Sequence, residues 1–83
     1  MLKFIETVTY FENQLKTIKR LYEDHMISKE GALEKTDNFI NELNDLLYAY
    51  DLIYPYKWIK TLEDVLEDYK DFASSLKTNE NTL

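Results

Sequence analysis

The chain has 83 residues, a formal net charge of −6, 45% hydrophobic residues and no cysteine. That length supports one domain at most, and the hydrophobic content is that of a folded chain rather than a disordered one. The lack of cysteine excludes disulfides and thiolate metal sites, the single glycine excludes dinucleotide and phosphate-loop fingerprints, and the acidic balance disfavours direct binding to nucleic acid or to an anionic membrane, both of which need clustered Lys and Arg.

No apolar run approaches the roughly 20 residues needed to cross a bilayer. The opening MLKFIETVTYFENQ lacks the apolar block and small-residue cleavage site of a signal peptide. A soluble, cytoplasmic protein is the expectation. With one glycine and one proline the chain is poor in tight turns, which argues against a β-rich fold.

The first periodic segment spans about 3 to 25. Phe4, Val8, Phe11, Leu15, Ile18 and Tyr22 recur at spacings of four and three and so form one stripe of a helix, flanked by Tyr10 and Leu21. Its polar side offers i,i+4 pairs of opposite charge: Glu12 with Lys16, Lys19 with Glu23, and Arg20 with Asp24. Local pairing therefore explains the basic cluster Lys16, Lys19 and Arg20 better than phosphate binding does. His25, the only histidine, falls at the end of this helix, where a cation suits the helix dipole.

The second segment spans about 28 to 53. Ser28 is a favoured N-cap residue, with Ile27 and Ala32 placed for a weak hydrophobic staple. Leu33, Thr36, Ile40, Leu43, Leu47 and Tyr50 share a face, with Phe39 and Leu46 on its edge. Pro55 disfavours the α conformation in the residue before it, so the helix should end between Tyr50 and Tyr54.

A third helix over about 55 to 76 starts at Pro55, a residue suited to a first helical position. A later start at Thr61, where Thr61-Leu-Glu-Asp64 resembles a capping box, is the alternative. Trp58, Leu62, Val65, Tyr69, Phe72 and Leu76 keep one period, with Ile59, Leu66 and Ala73 beside them. Residues 77–83 lack periodicity and are expected to fray. The pattern predicts an all-α fold: a single domain over 1–76 built as an antiparallel three-helix bundle. A helical hairpin that completes its core as a homodimer is the alternative.

Chemistry-bearing constellations are scarce. The serines have capping or tail positions, and nothing sets one beside His25. Asp64, Asp68 and Asp71, at i, i+4 and i+7 with Glu67 nearby, share a face that can hold a divalent cation weakly. A solvated helix face explains them better, since neither a calcium-binding loop nor a Glu-x-x-His pair is present. No catalytic, metal or cofactor residue is assigned, and no enzyme is expected.

Charge distribution is more informative. Residues 1–25 carry four basic and four acidic side chains, so the surplus negative charge belongs to the second and third segments. Glu63, Asp64, Glu67, Asp68 and Asp71 lie opposite the apolar stripe of the third helix, only partly offset by Lys60 and Lys70. Such a surface steers toward a basic protein groove, and it mimics phosphate charge where that groove normally holds nucleic acid. Solubility alone is the competing explanation.

The strip YAYDLIYPYKW, residues 48 to 58, gathers four tyrosines and the only tryptophan around the only proline. Tyr50 and Trp58 continue the apolar stripes and are expected to pack the joint between helices. Tyr48, Tyr54 and Tyr56 fall outside the stripes and are expected to rim a binding surface, because Tyr supplies large contact area with few rotatable bonds.

Asp51-Leu52-Ile53-Tyr54-Pro55 resembles the DLIYYP segment of colicin immunity proteins, which are small, acidic, all-helical nuclease inhibitors. The likeness is confined to that segment, and here the second Tyr follows the proline. The histidine-proline-glycine loop that precedes the segment in that family is missing, as is the family's basic, glycine-containing C-terminus, so no family is assigned.

These readings converge on a small acidic non-enzymatic module that binds another protein through Glu63, Asp64, Glu67, Asp68, Asp71, Tyr48, Tyr54 and Tyr56. An inhibitor or regulator of a nucleic-acid-handling protein is one concrete version, for example a phage or mobile-element inhibitor of a nuclease or CRISPR effector. A self-assembling helical scaffold is the runner-up. A helical DNA-binding regulator would need a recognition helix rich in Lys, Arg, Asn and Gln, which only the first segment approaches.

Overall fold

The apolar stripes read from the sequence become the inner faces of three helices. A computed structural model describes the backbone of residues 2–81 and the side chains of residues 3–78. Helix α1 is Leu2–Glu23, α2 is Lys29–Asp51 and α3 is Tyr56–Asn81. All three pairs of helices are in contact, with α2 and α3 the most extensively packed. The bundle is elongated, 44 × 21 × 16 Å.

The chain runs up, down and up. At one end Phe4 of α1 meets Tyr50 at the end of α2 and Trp58 at the start of α3. At the other end Ile18, Ala32 and Leu76 close a second small core. Between them Phe4, Val8, Phe11, Leu15, Leu43, Leu62, Val65, Leu66 and Tyr69 form the main core. Sequential neighbours are therefore antiparallel, as the short connections require.

Local signals set the ends. Ser28 caps α2, its hydroxyl accepting from the Gly31 amide at 3.0 Å. Thr36, the one polar member of the α2 stripe, is fully buried and donates its hydroxyl to the Ala32 carbonyl at 2.7 Å. A buried hydroxyl with a partner inside its own helix carries little penalty. The Pro55 carbonyl accepts from the Trp58 and Ile59 amides at 3.0 and 3.2 Å, so α3 takes the earlier of its two candidate starts. Thr61 lies inside the helix with its hydroxyl turned back toward Lys57.

Three expectations need correction. Helix α3, expected to end at residue 76, continues as far as Asn81, and residues 82–83 lie outside the described residues. Lys77-Thr-Asn-Glu-Asn81 contains neither Gly nor Pro, so nothing in it stops the helix that Leu76 anchors. The i,i+4 ion pairs expected on α1 do not close. Among the described residues the single ion pair within 4.0 Å is Lys60 with Asp64 at 3.6 Å. Lys19 lies instead with its ammonium 5.6 Å from the centre of the Phe72 ring. Solvated pairs on flexible side chains gain too little to hold one geometry.

Helix α1 also stops two residues earlier than expected. The Met26 amide donates to the Leu21 carbonyl at 2.8 Å and the His25 amide to the Tyr22 carbonyl at 3.1 Å. This is the paired bond pattern of a Schellman stop, with His25 at the left-handed position, φ 62°. Glycine normally holds that place because a Cβ is strained there. His25→Gly is expected to raise the unfolding free energy by about 0.5–1 kcal/mol in urea melts. An unchanged or lowered stability would show that the imidazole makes a compensating contact.

Candidate partner-binding face

Helix geometry settles how the candidate residues relate. Glu63, Asp64, Glu67, Asp68 and Asp71 are all exposed on α3. Asn44 and Leu47 of α2 face Lys60, Glu63, Asp64, Leu66, Glu67 and Lys70 of α3 across a shallow open groove. Tyr48 lies one turn beyond Asn44 on α2, and Tyr56 lies one turn before Lys60 on α3. Both tyrosines therefore extend this groove toward the α2–α3 turn. They are 78% and 70% exposed, which is unusual for side chains of that size. The fold thus brings two of the three candidate tyrosines into line with Glu63, Asp64 and Glu67. Asp71 continues the same stripe further from the turn, and Asp68 lies further round α3.

Tyr54 does not belong to that rim. It is half-buried, stacked on Trp58 with ring centroids 5.6 Å apart and planes at 23°. Its ring is also 5.0 Å from Phe4 and 5.1 Å from Tyr50. The turn folds it inward because Pro55 reverses the chain directly after it, placing its ring over the start of α3. Tyr54 joins Tyr50 and Trp58 in packing the joint, and the expected three-tyrosine rim is reduced to Tyr48 and Tyr56.

Two residues missed in the sequence complete the surface. Leu52 and Ile53 form the turn itself and are 80% and 71% exposed. Periodicity ends at Tyr50, so no helical stripe could assign them a side. The available signal was compositional: two aliphatic residues in a four-residue connection that has no glycine and no polar side chain apart from the Tyr54 hydroxyl.

Among the described residues no three His, Asp or Glu side chains converge on a point that could hold a metal ion, and no buried side-chain polar atom lacks a hydrogen-bond partner. Asp64, Asp68 and Asp71 share a helix face without converging. Among those residues no helix is long and apolar enough to cross a membrane. Comparison with protein-family models, curated proteins and solved structures yields no match.

Proposed function

We propose that this protein is a non-enzymatic binding module whose α2–α3 face docks on a basic groove of another protein. The observation that carries this reading is the exposure of Tyr48 and Tyr56, each one helical turn from a residue of the groove that Glu63, Asp64 and Glu67 line. Carboxylates attract a basic surface over a distance and speed encounter, whereas desolvated aromatic rings hold the complex once formed. A protein that handles nucleic acid is the favoured partner, because its groove is built to receive regularly spaced negative charge. Occupying that groove would inhibit or regulate it without chemistry, as a phage or mobile-element inhibitor of a nuclease or CRISPR effector would. Asp68 and Asp71 extend the charge toward the far end of α3.

The test is capture of the tagged protein from nuclease-treated lysate, with bound proteins identified by mass. A nucleic-acid-handling partner is expected that is retained at low salt and released at about 0.5 M salt, where screening reaches only a few Å. Glu63→Lys, Glu67→Lys and Asp71→Lys together should abolish capture. Tyr48→Ala with Tyr56→Ala should shorten the lifetime of the complex more than it slows its formation. A partner held equally well by the charge-reversed variant would sink the reading.

A further inference from the structure

The α2–α3 turn shares Tyr48 and Tyr56 with the acidic groove and adds Leu52, Ile53 and two flanking charges that the groove does not use. In Asp51-Leu-Ile-Tyr-Pro-Tyr-Lys57 an acid and a base bracket five residues with no charge. Asp51 and Lys57 are exposed, and neither makes an ion pair within 4.0 Å. Between and beside them Tyr48, Leu52, Ile53 and Tyr56 are each at least 70% exposed. This tip is therefore apolar and charge-balanced, although the molecule carries −6.

We propose that the tip is a self-association surface whose occupant is the same tip of a second copy. A two-fold axis lying in the contact plane between the two charges would set Asp51 of each copy against Lys57 of the other. An isologous contact requires that self-complementarity, and an acid and a base on either side of an apolar patch provide it in one orientation only. A patch flanked by two acids would repel its own copy in every orientation.

Magnitudes agree with a reversible dimer. Covering the four side chains removes about 500 Å² per copy, given the area such residues present. The total falls at the small end of specific interfaces, below about 1,200 Å². Contacts of this size are typically weak and transient, so a dissociation constant on the order of 100 μM is expected. The like charge of the two molecules does not prevent it. Glu63, the first carboxylate of the acidic groove, lies seven residues beyond Tyr56, which is about 10 Å along a helix. That exceeds the screening length of about 8 Å at physiological ionic strength. Tip-to-tip contact directs the acidic grooves away from each other.

This inference is independent of the proposed partner, because its test uses the protein alone. Sedimentation equilibrium from about 10 μM to about 1 mM, a range spanning the expected constant, should show the mean mass rise from 10.0 kDa toward twice that value. Amide shift changes of the wild type on dilution should map to residues 48–57. Leu52→Ser with Ile53→Ser should weaken association at least tenfold, with helical circular dichroism unchanged because both residues are exposed. Asp51→Lys and Lys57→Asp should each weaken association several-fold, and the two combined should restore it, since each reversed charge then meets its opposite again. A mass fixed at 10.0 kDa over the whole range overturns the proposal. So does association that maps elsewhere, or a charge-swapped double variant no better than the singles.

Discussion

Replacing Tyr69 by alanine should lower the unfolding free energy by about 4 kcal/mol, and replacing it by phenylalanine by about 1–2 kcal/mol. Tyr69 is the largest side chain with no exposure. Its ring lies among those of Phe11 and Phe39, with centroids 6.5 and 5.8 Å away. Its hydroxyl donates to the main-chain carbonyl of Phe11, tying α3 to α1 across 58 residues of sequence. Alanine removes both the ring and this link, and leaves a cavity that the surrounding helices can only partly fill. Phenylalanine keeps the ring and removes only the hydroxyl. The Phe11 carbonyl retains its place in the helical ladder, so the loss stays near that of a single hydrogen bond. A domain of this length has a total stability of only about 4–12 kcal/mol, so Tyr69→Ala removes a third or more of it. Urea melts of the three proteins would measure both steps, and equal losses for alanine and phenylalanine would contradict the account.

The same phenol makes a pH prediction. Burial, first, and then the proximity of Tyr10 and Glu42 push its ionisation well above the ordinary tyrosine value of about 10, while the nearby Leu15 amide acts in the opposite sense. The folded state therefore keeps a proton that the unfolded chain releases. The unfolded state binds fewer protons above pH about 10, so stability falls as pH rises through that range. Tyr69→Phe should flatten that fall. In the wild type the Tyr69 phenolate signal, isolated as the difference from Tyr69→Phe, should appear only as the helices melt.

Sequence period accounts for nearly all of the core. Phe4, Val8, Phe11, Leu15 and Ile18 are buried on α1 as their spacing predicts, and Leu62, Val65, Tyr69 and Leu76 on α3. Thr36 took its buried place by period alone, against its polarity. What period does not encode is the course of the chain where it is not helical. Tyr54 and Ile53 are adjacent, yet one ring is packed and the other side chain is 71% exposed. That difference arises from the turn at Pro55. Charge complementarity between neighbours misled for another reason. Spacing puts Glu12 near Lys16, but water competes well enough for both that proximity does not become an ion pair. The acidic face was legible because exposure on the outer side of a helix needs only the stripe opposite it. Its alignment with Tyr48 depended on how α2 and α3 pack, which no single helix specifies.

Phe4→Ala should lower stability by about 3–5 kcal/mol, whereas Tyr48→Ala and Tyr56→Ala should each change it by less than about 0.5 kcal/mol. These substitutions separate the two roles within one aromatic cluster. Phe4 is 4% exposed and has Tyr50, Tyr54 and Trp58 within 5.7, 5.0 and 5.6 Å of its ring centre. Through it α1 contacts both ends of the α2–α3 connection. Each aromatic pair adds roughly 0.5–1.5 kcal/mol beyond burial, so three pairs on one ring place the loss at the upper end of the range. Tyr54→Ala should also destabilise, by about 2 kcal/mol, because it strips a ring from the stack on Trp58. Tyr48 and Tyr56 form no aromatic pair with these rings, and both are mostly exposed, so their removal takes little from the core. If thermal melts show Tyr56→Ala to cost as much as Tyr54→Ala, Tyr56 is part of the joint and is not free to meet a partner. If its cost is negligible, its exposed ring contributes nothing to the fold and is free to meet a partner.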